Sequence, residues 1–189
     1  MSRSARTVPP IRRSVSVSWA PDAAYRRFVS DFARWWPKYA HSVGGPRVKR
    51  VVFEPRLGGA IYEEHHDGTR YEWGTVTALE PPRRVAFTFH AAFDRSDGQQ
   101  VEVTFSPEDH GTRVELVSSG WERMGDHARA AYGGYQLGWS GLLARYAGRF
   151  SGVELIFTGM AAAMDLFRRR ESFLRHSLGR TTPSGNVGL

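Results

Sequence analysis

Cysteine is absent from the 189 residues, and with it go disulfides, thiolate nucleophiles and cysteine-ligated zinc or iron–sulfur centres. Long hydrophobic runs are missing as well. No stretch approaches the roughly 18 apolar residues of a membrane span, and residues 1–20 lack the apolar core of a signal peptide. These absences predict a cytoplasmic chain that does not span a membrane. There is no phosphate-cradling glycine loop of either standard type and no G-x-S-x-G nucleophile elbow. His65 and His66 are adjacent in a strand-like run and face opposite ways, so they make a poor metal pair; no metal or other cofactor is expected.

What is present is a real core, with 41% apolar and 13% aromatic residues, and a net charge of +7. That charge sits at the ends. Arg3, Arg6, Arg12 and Arg13 face no acid within residues 1–13, and five arginines against two acids lie beyond residue 164, whereas residues 14–164 balance. A nucleic-acid groove would show its excess in the folded part, so none is expected there.

The stretch 11–19, "IRRSVSVSW", alternates as a strand. "APDAAYRRFVSDFARWW" follows, with Pro21 and Asp22 as helix start signals and Pro37 as its end. Runs of strand-like residues separated by Asp67-Gly68, Pro81-Pro82, Asp97-Gly98 and His110-Gly111 then predict an antiparallel meander. After Gly125, Ala128, Tyr132, Tyr135, Trp139, Leu142, Tyr146 and Phe150 recur at helical spacing. The same helix holds Gly133, Gly134, Gly138, Gly141 and Gly148, each interior glycine costing about 0.5–1 kcal/mol against alanine, which predicts close approach to its backbone. These elements define an α+β domain.

A two-residue loop at Asp67-Gly68 pairs Glu64 with Tyr71 and Tyr62 with Trp73. It makes an inner wall of Tyr62, Glu64, Tyr71 and Trp73, and leaves Ile61, Glu63 and His65 on the solvent face. A loop at His110-Gly111 pairs Phe105 with Leu116 and Val103 with Ser118. An odd loop or bulge near Asp97-Gly98 is expected to place Phe89 opposite Phe105 and bring Phe87 to the same surface. Closed by Tyr135 and Trp139, this surface is either a ring-lined cavity or a filled core.

The strings "WWP" with "HSVG", "VVFEPRLGGAIYEE", "DGTRYEWGTVTALEPPRRVAFTF" and "GGYQLGWSGLLARYAGRF", in this order, resemble bacterial members of the AHSA-like group of the START-like helix-grip superfamily (SRPBCC). The group is named for an activator of a heat-shock chaperone ATPase, and the resemblance covers about residues 11–150. It implies a curved antiparallel sheet wrapped around a long C-terminal helix, two short helices after the first strand, and an apolar cavity that takes small hydrophobic molecules. The expected division is a flexible basic N-terminus (1–10), a START-like ligand-binding domain (11–150), an extra basic amphipathic helix (151–178) and a disordered tail (179–189).

Neighbouring helical residues point about 100° apart, so Trp35 and Trp36 cannot share one stripe. One is expected to anchor the small helices, and Trp36, held by Pro37, to line the cavity. His41 falls at its rim as a neutral imidazole able to hydrogen-bond or take a proton. Glu64 is a carboxylate on an aromatic wall, which must be paired, solvated or raised in pKa. The candidate ligand-binding set is Trp36, His41, Tyr62, Glu64, Tyr71, Trp73, Phe87, Phe89, Phe105, Tyr135 and Trp139. Three functions fit: binding of a small hydrophobic or aromatic ligand; a cyclase, dehydratase or hydrolase using Glu64 and His41; or an interaction module, a co-chaperone or homodimer built through residues 153–178.

Overall fold

The computed structural model describes residues 8–90, 98–124 and 127–149. Phe150, the expected added helix and the expected tail lie outside the described residues, as does most of the expected N-terminal arm.

The chain runs β1 (Ile11–Val17), α1 (Pro21–Val29), α2 (Phe32–Trp35), β2 (Val48–Phe53), β3 (Ala60–His65), β4 (Arg70–Glu80), β5 (Arg84–Phe89), β6 (Gln99–Glu108), β7 (Gly111–Ser119) and α3 (His127–Tyr146). The strands form one antiparallel sheet in the order β1-β7-β6-β5-β4-β3-β2. Only the first strand is out of sequence: it crosses to pair with the last, and the two short helices pack over the inner face on the way. This is the α+β helix-grip arrangement.

Proline at the start and Asp22 in the first turn open α1, whose buried face is Ala24, Tyr25, Phe28 and Val29. Trp36 precedes Pro37 and is extended (φ −68°, ψ 125°), as the proline ring requires of its neighbour. That change of backbone turns the two indoles toward different neighbours while their rings stay in edge-on contact at 5.8 Å. Trp35 stays with the helices, donating Nε1–H to the Phe28 carbonyl at 3.2 Å and packing on Tyr146, while Trp36 turns toward Trp73 and Phe89.

Two registers differ from the expected ones because the turns differ in length. His65 N–H bonds the Thr69 carbonyl across a three-residue loop, His66 to Gly68, with Gly68 left-handed at φ +86°. Glu63 therefore faces Tyr71 and Glu64 faces Arg70; an irregularity at Trp73 restores the pairing of Ile61 with Gly74. Adding one residue to a turn exchanges the faces of the whole strand. Ile61, Glu63 and His65 consequently point inward, and Tyr62 and Glu64 point outward.

In the last hairpin the loop is Asp109-His110, so Phe105 pairs with Val114 and Val103 with Leu116. The shift is two residues and leaves the faces unchanged. Phe89 pairs with Gln99, not with Phe105, because β5 ends at Phe89 and β6 starts at Gln99, a longer connection than Asp97-Gly98 alone implies. In α3, a Cβ at Gly133 or Gly138 would meet nothing within 4 Å; among the described residues no neighbour explains these two glycines.

Candidate functional site

Between β4, β5, α2 and α3 the aromatic residues converge on Phe89. Its ring lies 6.1 Å from Trp36, 6.3 Å from Trp73, 6.4 Å from Tyr135 and 5.3 Å from Trp139. Trp36 is tilted against Trp73 at 5.1 Å, and the His41 ring stands edge-on to Trp36 at 6.2 Å. Most of this group is buried: Trp36 is 4%, Trp73 0%, Phe89 6% and Trp139 3% exposed. Edge-to-face and tilted contacts at these spacings place the positive edge of one ring against the negative face of another.

Two donors in this group are unspent. Trp36 Nε1 and Trp139 Nε1 are buried and have no hydrogen-bond partner among the described residues, and neither has Ser42 Oγ in the loop after α2. A buried donor without an acceptor carries a desolvation cost of about 1–3 kcal/mol. The third indole of the cluster is satisfied, because Trp73 donates to Glu63 Oε2 at 3.1 Å.

Of the remaining expected wall residues, Tyr71 packs partly buried on the core, and Phe87 lies between Phe89 and Phe53. Phe105 is inward but sits under α1, against Tyr25 and Phe28, away from the Phe89 group. Tyr62 and Glu64 are corrections, since the three-residue turn places both on the outer face. Tyr62 lies under Arg70 (5.0 Å). Glu64 binds Arg50 at 2.7 Å, with Lys49 and Arg70 at 3.6 Å. The hydrogen bond from Arg50 holds its carboxyl below the usual carboxylate range, against the partial desolvation that acts the other way. A carboxylate stabilised as an anion on the outer face is not a general acid for the inner site.

Two inward polar groups go beyond the sequence reading. Glu63, fully buried, accepts from the Val43 and Gly44 backbones, His65 and Trp73. Gln99, opposite Phe89, accepts from Ser118 Oγ at 2.9 Å and reaches the Met124 sulfur. The signal for Glu63 was the lone isoleucine, Ile61, on a face assigned to solvent: a buried Ile61 carries residues 63 and 65 inward with it. Gln99 gave no such signal, because "GQQ" is polar throughout.

A separate groove of about 300 Å³ on the sheet, lined by Arg12, Arg13, Glu102, Arg113 and Glu115 among others, mixes both signs of charge. No described helix is long and apolar enough to cross a membrane.

A curved sheet closed over a helix, with an aromatic interior, defines a helix-grip protein of the START-like class. Residues 21–148 match the model of the family described as Activator of Hsp90 ATPase homolog 1-like protein, and the chain belongs to that family. No curated protein matches it. Among solved structures it is similar to protein MLL2253 from Mesorhizobium loti (20% identity, TM-score 0.56, covering 75% of this chain and 96% of that one). It is also similar to the AHSA1-like protein from Aeromonas hydrophila (20% identity, TM-score 0.50, 79% and 95%). These two speak for the fold alone. A third, Txn09, an anthrahydroquino-gamma-pyrone synthase, is 32% identical with a TM-score of 0.51, over 76% of this chain and 97% of that one.

Proposed function

We propose that this protein binds a small, flat, mostly apolar molecule that carries hydrogen-bond acceptors, held by Trp36, Trp73, Phe89, Tyr135 and Trp139. The observation that carries the reading is the pair of unspent indole donors, Trp36 Nε1 and Trp139 Nε1, buried on rings that both pack against Phe89. A purely structural core fills such positions at lower cost with phenylalanine or leucine, whereas a ligand carbonyl or ring oxygen satisfies the donors it meets. His41 adds a polar ring edge-on to Trp36, and Ser42 follows it in the chain with a buried hydroxyl. The likeness to a synthase whose name denotes a fused-ring product supports an aromatic ligand.

The test is titration of the full chain with a flat, carbonyl-bearing probe, 1,8-dihydroxyanthraquinone, followed by tryptophan fluorescence. Trp139→Phe is expected to weaken binding by roughly tenfold, the loss of about one hydrogen bond with some ring area, while the fold persists. Wild-type protein that leaves the probe unbound, together with native mass spectrometry of fresh protein showing no released small molecule, refutes the reading.

A second reading, catalysis on such a ligand, is favoured by the 32% identity to a synthase. Glu64 drops out of it, being on the outer face. Glu63 has no oxygen open to a ligand, since each already has two partners. His41 is the remaining nominee, and turnover of a bound ring compound that survives His41→Gln removes it.

A further inference from the structure

We propose that Glu63 is a positioning residue: its buried carboxylate latches the loop from Pro37 to Gly45, and the latch sets how fast a ligand enters and leaves the aromatic site. The ligand half of this statement rests on the binding function proposed above.

Glu63 stands on the inner face of β3, next to the edge strand β2, and has no exposed surface. Oε2 accepts the Val43 backbone N–H at 2.8 Å and Trp73 Nε1 at 3.1 Å; Oε1 accepts the Gly44 backbone N–H at 2.7 Å and lies 2.6 Å from His65 Nε2. Two consecutive loop amides thus close on one carboxylate from a strand about twenty residues away in sequence. Such charge-assisted bonds are about twice as strong as neutral ones and geometrically specific.

Both ends of this arrangement meet the site. The loop carries His41 against Trp36 and Ser42, whose hydroxyl is buried, and Trp73, the other donor to Glu63, packs on Trp36. The approach is tight at one point: a Cβ on Gly44 would overlap the His65 ring and press on Glu63 Oε1. Gly44 has φ −80°, an ordinary value, so close packing and not backbone strain requires glycine there. Lys38 fixes the start of the loop through the Lys49 carbonyl and Arg47 N–H closes its end on the Gly44 carbonyl. Glu63 holds the middle.

The experiment is amide hydrogen exchange and stopped-flow release of 1,8-dihydroxyanthraquinone on the full chain, for wild type, Glu63→Gln and Gly44→Ala. Glu63→Gln keeps the shape of the side chain but turns an amide NH2 toward donors, and Gly44→Ala leaves the carboxylate intact while pushing the loop off His65. Each variant is expected to exchange the amides of residues 43 and 44 at least about tenfold faster, with Val101 and Val103 in the central sheet unchanged, and to release the probe about tenfold faster. A merely structural Glu63 would raise exchange across the sheet together. Unchanged exchange at residues 43 and 44 in both variants overturns the latch, and faster exchange with unchanged release overturns its control of access. If wild-type protein does not take the probe, the binding function fails, while exchange at residues 43 and 44 still decides the latch.

Discussion

Tyr146 offers a perturbation whose effect on stability changes sign with pH. Its phenol is fully buried, donates to the Ala24 carbonyl at 2.7 Å, and is ringed by Trp19, Phe28 and Trp35, each with centroids 5.5 Å away. Burial raises its pKa well above the ordinary 10.0, and the nearby Arg27 charge only partly opposes this. At pH 9 the phenol is protonated in both folded and unfolded chains, so Tyr146→Phe costs about 1 kcal/mol, the net worth of one hydrogen bond. A group whose folded pKa is raised contributes fully below its unfolded pKa and loses that contribution as pH rises through it. At pH 11 the unfolded phenol, with pKa about 10, gains roughly 1.4 kcal/mol by ionising, while the folded one cannot follow. Wild type alone bears that loss. The gap between the two proteins therefore closes and slightly reverses between pH 9 and pH 11. The assay is urea unfolding of both at pH 9, 10 and 11, followed by tryptophan fluorescence; Tyr25, whose pKa is also raised by burial, cancels in the difference. A wild-type advantage that stays constant to pH 11 refutes the reasoning, since it means that the folded phenol ionises as freely as the unfolded one.

Gly74→Ala should destabilise by at least about 1–3 kcal/mol in the same unfolding assay, because the added Cβ would overlap the Thr88 carbonyl at the irregularity of β4. Glu64→Gln should leave probe affinity unchanged within twofold, since its partners are Arg50, Lys49 and Arg70 on the outer face. The same variant should remove part of the acid sensitivity of the fold. A carboxyl held below its ordinary 4.5 stabilises above that value and loses the contribution as pH falls, so unfolding midpoints compared at pH 5 and pH 3 should converge between variant and wild type.

The elements of this fold are legible where local signals are strong, and its faces only where the turn lengths are. Pro21, Asp22 and Pro37 bracket the short helices, and the stripe from Ala128 to Tyr146 marks α3. In β6 and β7 the expected and observed registers differ by two residues, which keeps Val103, Phe105, Val114 and Leu116 inward. In β3 they differ by one residue, which exchanges Glu63 for Glu64. "YEEHH" has no apolar alternation to oppose that exchange, and the choice between a two-residue and a three-residue loop at Asp67-Gly68 depends on backbone geometry at His66 that the residue types leave open. The contact of Glu63 with Val43 and Gly44 has no sequence signal at all, because it joins backbone groups of a loop to a distant strand, and backbone donors carry no residue identity.

The interior therefore holds polar groups of two kinds, satisfied and unsatisfied, and where the unsatisfied ones gather is the argument for the proposed function. Glu63 shows what a structural polar group looks like in this core: both oxygens are used, by partners from a loop, a neighbouring strand and its own strand. Gln99 with Ser118, and Tyr146 with Ala24, follow the same rule. Trp36 and Trp139 break it within one ring's width of Phe89. Tyr25 breaks it too, singly, where its buried phenol lies against Phe105 under α1. What sets Trp36 and Trp139 apart is that two open donors flank one ring, and the binding function proposed above rests on that pairing, because a single acceptor-bearing molecule lying there would meet both.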